Sequence, residues 1–263
     1  MSQRENQKPV VLTIGGLDPS GGAGVTLDAR AIQLTGCHPA TVTTLLTNQT
    51  GKRFIDSTPL KGVDVESTCR LILEDLNVCA IKVGAMGTLD NVVAVDHIIT
   101  FAHLPVVLDP VIESSSGGAL LTPEAFDYLS SKLIKKNLII TPNRREAEIL
   151  SGTTIQSEAD LPTAAKRILD LGAAAVLIKG GHLPGDRCID YLMERSGRIV
   201  FGDTRLGQTD VRGTGCALAS LIAGGLAHGH PLPRAVAMAR NMIRFAIKLN
   251  SNIGSDVHVL DLT

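Results

Sequence analysis

The sequence predicts an α/β protein built on a mostly parallel central sheet with helices on both faces. Two observations predict it. Short aliphatic runs alternate with longer stretches of helical period along most of the chain, the order that makes parallel sheets. The runs are also nearly all-apolar rather than alternating, as strands covered on both faces must be.

The first run, residues 10–14, is closed by Gly15-Gly16 and reads as a buried strand entering a loop. The glycine-rich loop GGLDPSGGAG leads into a helix over 25–34 that stops at Gly36. Residues 41–47 are β-branched and read as a strand. Val65, Cys69, Ile72 and Leu76 share one helical stripe. A strand at 79–83, a helix at 91–101 and a strand at 106–108 follow, the last ending at Asp109-Pro110. Thr122-Pro123-Glu124 combines a capping residue, a first-turn proline and an acid near the positive helix end. A strand at 138–140 is broken by Thr141-Pro142, a helix covers 159–171, and a strand covers 175–179. Residues 189–193 and 198–201 flank Ser196-Gly197 as a hairpin. One closing helix starts near Gly213. The other follows Pro231 and carries Val236, Ala239, Met242, Ile243 and Ala246 on its apolar side.

No linker, repeat or low-complexity tract divides the 263 residues, so a single domain over 1–263 is expected, with 1–9 a flexible N-terminal segment. Hydrophobic residues make up 44 % and aromatics 3 %, so the core must be aliphatic. A net charge of −1 leaves no basic surplus for a nucleic acid or an anionic membrane. Five cysteines, none in C-x-x-C spacing, argue against zinc or a disulfide framework and suit a reducing cytoplasm. The polar first ten residues carry no apolar signal region.

Residues that break the apolar pattern collect at the expected strand ends, where ligands of such sheets bind. In Val211-Arg-Gly-Thr-Gly-Cys216 a small-residue turn runs straight into a helix. The amides of Gly213, Thr214, Gly215 and Cys216 would be donors at its positive end, able to cradle a phosphate. The alternative is a helix start with glycines for tight packing. The helix field should lower the Cys216 thiol, making a thiolate that could accept an alcohol proton. A buried, inert cysteine is the alternative. The 15–24 loop lacks G-x-x-x-x-G-K-[ST] and so is no P-loop, but Asp18 and its amides could close over a small polar ring. Asp109, Asn143 and Glu146 could hold Mg²⁺ through water. Glu146 could equally serve the helix dipole, and Asp109 a turn. Lys179, in Lys179-Gly-Gly-His182, could pair with a nucleotide phosphate or be solvated.

In this order the segments LTIGGLDPSGGAGVTLDAR, VVLDPV, ITPNRREAEIL, LIKGGH and GTGCALAS resemble the hydroxymethylpyrimidine/phosphomethylpyrimidine kinase family of thiamine biosynthesis, within the ribokinase-like superfamily. The resemblance implies a ribokinase-like three-layer fold, usually dimeric, with ATP and Mg²⁺ as co-substrates. It leaves a role for a monovalent cation open. It puts Cys216 at the general base and Gly213, Thr214 and Gly215 at the anion hole. Gln49 falls where the pyrimidine is hydrogen-bonded, Gly16 and Asp18 in the loop bordering it, and Gly84, Met86 and Val111 along the acceptor pocket. Asn143 and Lys179 match the nucleotide side, Asp109 and Glu146 the metal side. Three positions depart from the family: Arg212 stands where histidine is common, Lys82-Val-Gly-Ala85 carries its methionine one place later, and Ser115 replaces a frequent lysine. Arg212 is expected to grip a nucleotide phosphate. Two rival readings remain, a pyridoxal kinase and a non-catalytic pyrimidine-binding protein.

Overall fold

A computed structural model describes residues 7–114, 117–181, 185–206, 211–252 and 257–262. Ser115, His182 and residues 1–6 of the expected flexible segment lie outside the described residues.

Among the described residues one nine-stranded sheet runs in the order β3-β2-β1-β4-β5-β6-β7-β8-β9. Its parallel centre is β2 (His38–Gln49), β1 (Val10–Leu17), β4 (Val78–Val83), β5 (Val106–Leu108), β6 (Ile139–Ile140) and β7 (Ala175–Ile178). β3 (Phe54–Pro59) pairs antiparallel at one edge, β8 (Arg187–Glu194) and β9 (Gly197–Thr204) at the other.

The two-residue side-chain alternation of the strands builds two apolar cores. Val10, Leu12 and Ile14 of β1 enter one core. It is covered by α2 (Gly62–Asp75), α3 (Leu89–Ala102), α4 (Pro123–Ser131), α5 (Arg144–Ser151) and α6 (Leu161–Asp170). Val11 enters the other, covered by α1 (Gly24–Leu34), α7 (Thr214–Ala227) and α8 (Leu232–Lys248). Burial on both sides is why the strands read as unbroken apolar runs. The stripe Val236, Ala239 and Ile243 of α8 is buried as its spacing predicts. Among the described residues no helix is long and apolar enough to cross a membrane.

Local chemistry sets the boundaries. Pro123 opens α4, and the Thr122 hydroxyl accepts the Ala125 amide. The β8–β9 hairpin turns at Arg195-Ser196, between the Glu194–Gly197 pair. β1 runs past Gly15 to Leu17 because β2 continues to offer partners, Thr43 and Leu46. The edge strand β3 has a polar, solvated pattern and was not legible. Nor was a small sheet of β10 (Val211–Arg212), β12 (His258–Val259) and β11 (Ser251–Asn252), whose two-residue strands leave no periodicity. That small sheet packs Arg212 against Val259, one residue before the α7 N-terminus.

Candidate active site

The loops at the carboxyl ends of the parallel strands enclose a cavity of about 940 Å³. That volume is in the range of small-molecule sites. Gly16 and Asp18 reach it from β1, Gln49 from β2, Gly84 from β4, Asp109 and Val111 from β5, Asn143 and Glu146 from the start of α5, Lys179 from β7, and Arg212 to Cys216 from the start of α7. Residues more than 200 positions apart therefore share one wall.

Met86 does not join them. It is 1 % exposed and lies in the apolar core beside α3. Ala85 lines the cavity instead. The one-place shift of methionine thus leaves a smaller side chain on the acceptor wall.

The α7 N-terminus faces the cavity without a side-chain cap. Gly213 is its N-cap at φ +86°, where a Cβ would run into the Gly22 carbonyl oxygen. No side chain caps the helix and no acid occupies its first turn. Its leading amides are thus left for a ligand, at the positive end of the dipole.

Cys216 lines the cavity, and its surroundings favour the neutral thiol. Burial pushes it up to about 12. The Lys82 charge opposes that shift, Asp109 and Asp28 add to it, and a hydrogen bond from the Gly24 amide opposes it. Desolvation is the largest influence, against the lowered thiol that the sequence suggested.

Lys82 is the residue that sequence reasoning missed. It is 1 % exposed, and its Nζ lies 2.7 Å from Asp28 Oδ2. Thr13 donates to the same oxygen at 2.9 Å and Ser220 to Asp28 Oδ1 at 2.9 Å. Burial alone would lower the ammonium; the charges of Asp28, Cys216 and Asp109 reverse this and hold it above its usual range. A Cβ on Gly84 would come within 2.8 Å of Nζ, so glycine is what leaves the ammonium room beside the cavity. The signal was present: a lysine inside an apolar strand and an aspartate on an apolar helix face both need partners.

On the β5–β7 side, Lys179 Nζ lies 2.7 Å from Asp109 Oδ1. Burial would lower Lys179, but Asp109 and Glu146 together hold it raised. Glu146 and Asn143 form a capping box: Asn143 Oδ1 accepts the Glu146 amide at 2.9 Å, and Glu146 Oε2 accepts the Asn143 amide at 2.7 Å. Burial pushes the Glu146 carboxyl up to about 7; Lys179 opposes this, Asp109 adds to it, and the Asn143 amide opposes it. Among the described residues no group of three or more His, Cys, Asp and Glu is placed to hold a metal. Asp109 and Glu146 both line the cavity, and carboxylate oxygens are the donor type that Mg²⁺ takes.

Arg212 is held on the β1–β2 side of the cavity. Its Nη2 lies 3.2 Å from Asp18 Oδ2, and its Nη1 donates to the Thr50 and Gly51 carbonyls. Asp18 and Gly51 follow β1 and β2, whereas Lys179 follows β7, with β4, β5 and β6 between. A second cationic group, also unforeseen, does lie beyond β7. Arg205, Arg240 and Arg244 line the cavity with Cys188, Ile243 and Ile247. Arg240 Nε donates to Asp190 Oδ2 at 3.0 Å, and Asp190 Oδ1 accepts the Gly180 amide at 2.8 Å, steadying the turn after Lys179.

Comparison with known proteins shows the family. Residues 18–261 match the family model for phosphomethylpyrimidine kinase. The hydroxymethylpyrimidine/phosphomethylpyrimidine kinase of Streptomyces coelicolor is 34 % identical over 253 residues, 96 % of this chain and 94 % of that one. The crystal structure of phosphomethylpyrimidine kinase from Clostridium difficile aligns at a TM-score of 0.81 and 32 % identity, over 91 % of this chain and all of that one. The pyridoxal kinase of Staphylococcus aureus, in complex with AMP-PCP and pyridoxal, aligns at 0.89 and 28 % identity, over 98 % of this chain and 94 % of that one.

Proposed function

This chain belongs to the phosphomethylpyrimidine kinase family and is a phosphotransferase acting on a hydroxyl group, and from that premise we propose that it phosphorylates 4-amino-5-hydroxymethyl-2-methylpyrimidine with ATP. The resulting monophosphate is the second acceptor, and the products feed thiamine biosynthesis. One observation carries this reading: the uncapped N-terminus of α7 opens into the cavity with Cys216 in its first turn.

The pyrimidine ring sits among Gly16, Gln49, Gly84, Ala85 and Val111, with its hydroxymethyl oxygen toward Cys216. The γ-phosphate rests on the amides of Gly213 to Cys216, and Lys179 faces the nucleotide phosphates. Phosphoryl transfer runs through a loose transition state, so alignment and the amide cradle supply most of the rate. Cys216 receives the alcohol proton as a thiolate, once its own proton has passed to bulk water. The thiol is neutral in the free protein, so this service depends on Lys82, whose charge favours the thiolate. Asp109 and Glu146, with Asn143 beside them, would hold Mg²⁺, which would supply charge neutralisation of the phosphate oxygens. The chain acts as one domain.

The homodimer and the cytoplasm belong to the same reading. Leu46, Ile55 and Val63 are exposed on and beside the edge strand β3, a surface that suits a second copy. Five free thiols suit a reducing compartment. Sedimentation velocity tests the dimer.

A pyridoxal kinase is the second reading, favoured by the higher TM-score of the pyridoxal kinase alignment. A coupled ADP-release assay with hydroxymethylpyrimidine, its monophosphate and pyridoxal decides. A higher kcat/KM for pyridoxal would overturn the proposal.

A further inference from the structure

Arg212 joins three segments that border the cavity: the loop 18–23 through Asp18, the turn after β2 through the Thr50 and Gly51 carbonyls, and β10 itself. The Arg212 and Asp18 side chains are only 7 % and 2 % exposed. Asp18 is held from its other oxygen as well, since Oδ1 accepts the Ser20 amide at 2.9 Å and the Ser20 hydroxyl at 2.8 Å. A buried ion pair stabilises a fold no better than well-packed apolar side chains of the same volume. The consequence of this one is geometric: it pins the loop 18–23 and the turn at 50–51 to the strand that leads into the anion cradle.

We infer that Arg212 is a positioning residue that preforms the acceptor half of the site, and so governs affinity for the acceptor rather than for ATP. The inference rests on the kinase reading above. Without the guanidinium, loop 18–23 samples other conformations, and acceptor binding has to supply its ordering. The nucleotide side is untouched, because Lys179 is anchored through Asp109 and the Asp190 bond to Gly180. Lysine is no substitute, since a single ammonium lacks the planar fork that reaches a carboxylate and two carbonyls together.

Steady-state kinetics in both substrates test this on the wild type, Arg212→Ala, Arg212→Lys and Asp18→Asn. The KM for hydroxymethylpyrimidine should rise on the order of tenfold or more in all three variants, with the KM for ATP within about twofold. A rise in the KM for ATP with the acceptor KM unchanged, or no change in either, overturns the inference. Asp18→Asn keeps the side-chain shape and serves if the arginine variants do not fold. A wild type that releases no ADP refutes the kinase reading instead. The clamp is then judged by amide hydrogen exchange: residues 18–23 and 50–51 must exchange faster in Asp18→Asn than in the wild type, and unchanged rates sink it.

Discussion

The ammonium of Lys82 lies 2.7 Å from the carboxylate of Asp28, and both side chains are closed to solvent. With Thr13 and Ser220 donating to the same carboxylate, one buried charge pair joins β1, α1, β4 and α7. Removing the cation alone strands a buried anion. Lys82→Met is expected to lower the free energy of unfolding by about 3–5 kcal/mol. Pairing it with Asp28→Asn should restore much of that loss. Urea denaturation of the three variants checks it; equal losses in the single and double variants would refute the pairing.

Cys216→Ala is expected to lower kcat by roughly a hundredfold or more while the protein stays folded, the usual scale for a positioned base. Near-normal turnover would remove Cys216 from the reaction. With the thiol pushed up to about 12, iodoacetamide should label Cys216 very slowly near neutral pH. Labelling should quicken as the solution becomes alkaline and slow further in Lys82→Met. Site-resolved mass spectrometry separates it from the other cysteines.

Glu146 makes stability depend on pH in an unusual direction. Its folded pKa is about 7 against an ordinary 4.5, so the native state binds more protons than the unfolded chain between these values. Its contribution therefore weakens folding as pH rises from about 4.5 to about 7. Glu146→Gln should flatten that part of the stability profile. Urea midpoints at intervals across this window measure it; an unchanged slope would show that Glu146 titrates normally.

Gly213→Ala places a side chain at φ +86° and against the Gly22 carbonyl. The strain amounts to about 1–3 kcal/mol, and relieving it must shift the amides that follow. Turnover should fall more than stability accounts for. A variant with normal kcat and only a lower melting temperature would show that the cradle tolerates movement.

Much of the site was legible because chemistry-bearing residues interrupted apolar patterns at strand ends. Asp109, Asn143, Lys179 and the Gly213–Cys216 turn all announced themselves this way, and the cavity receives each of them. Met86 was misplaced because a motif records residue order, while one step along the chain reverses the face a side chain occupies. The partners of Arg212, Asp18 and the carbonyls at 50 and 51, could not be read locally because they lie more than 160 positions away.

By itself the chain determined the layered α/β plan, since aliphatic runs and helical stripes are local and each demands a covered face. It also determined the uncapped, small-residue helix start at Gly213–Cys216, a property of four consecutive residues. Only tertiary structure decided the charges. Whether Cys216 is thiol or thiolate, which acid Lys82 answers to, and which ligand's side Arg212 serves depend on burial and on neighbours from distant strands. Electrostatic energy follows distance and desolvation in space, and neither is written in the local order of residues.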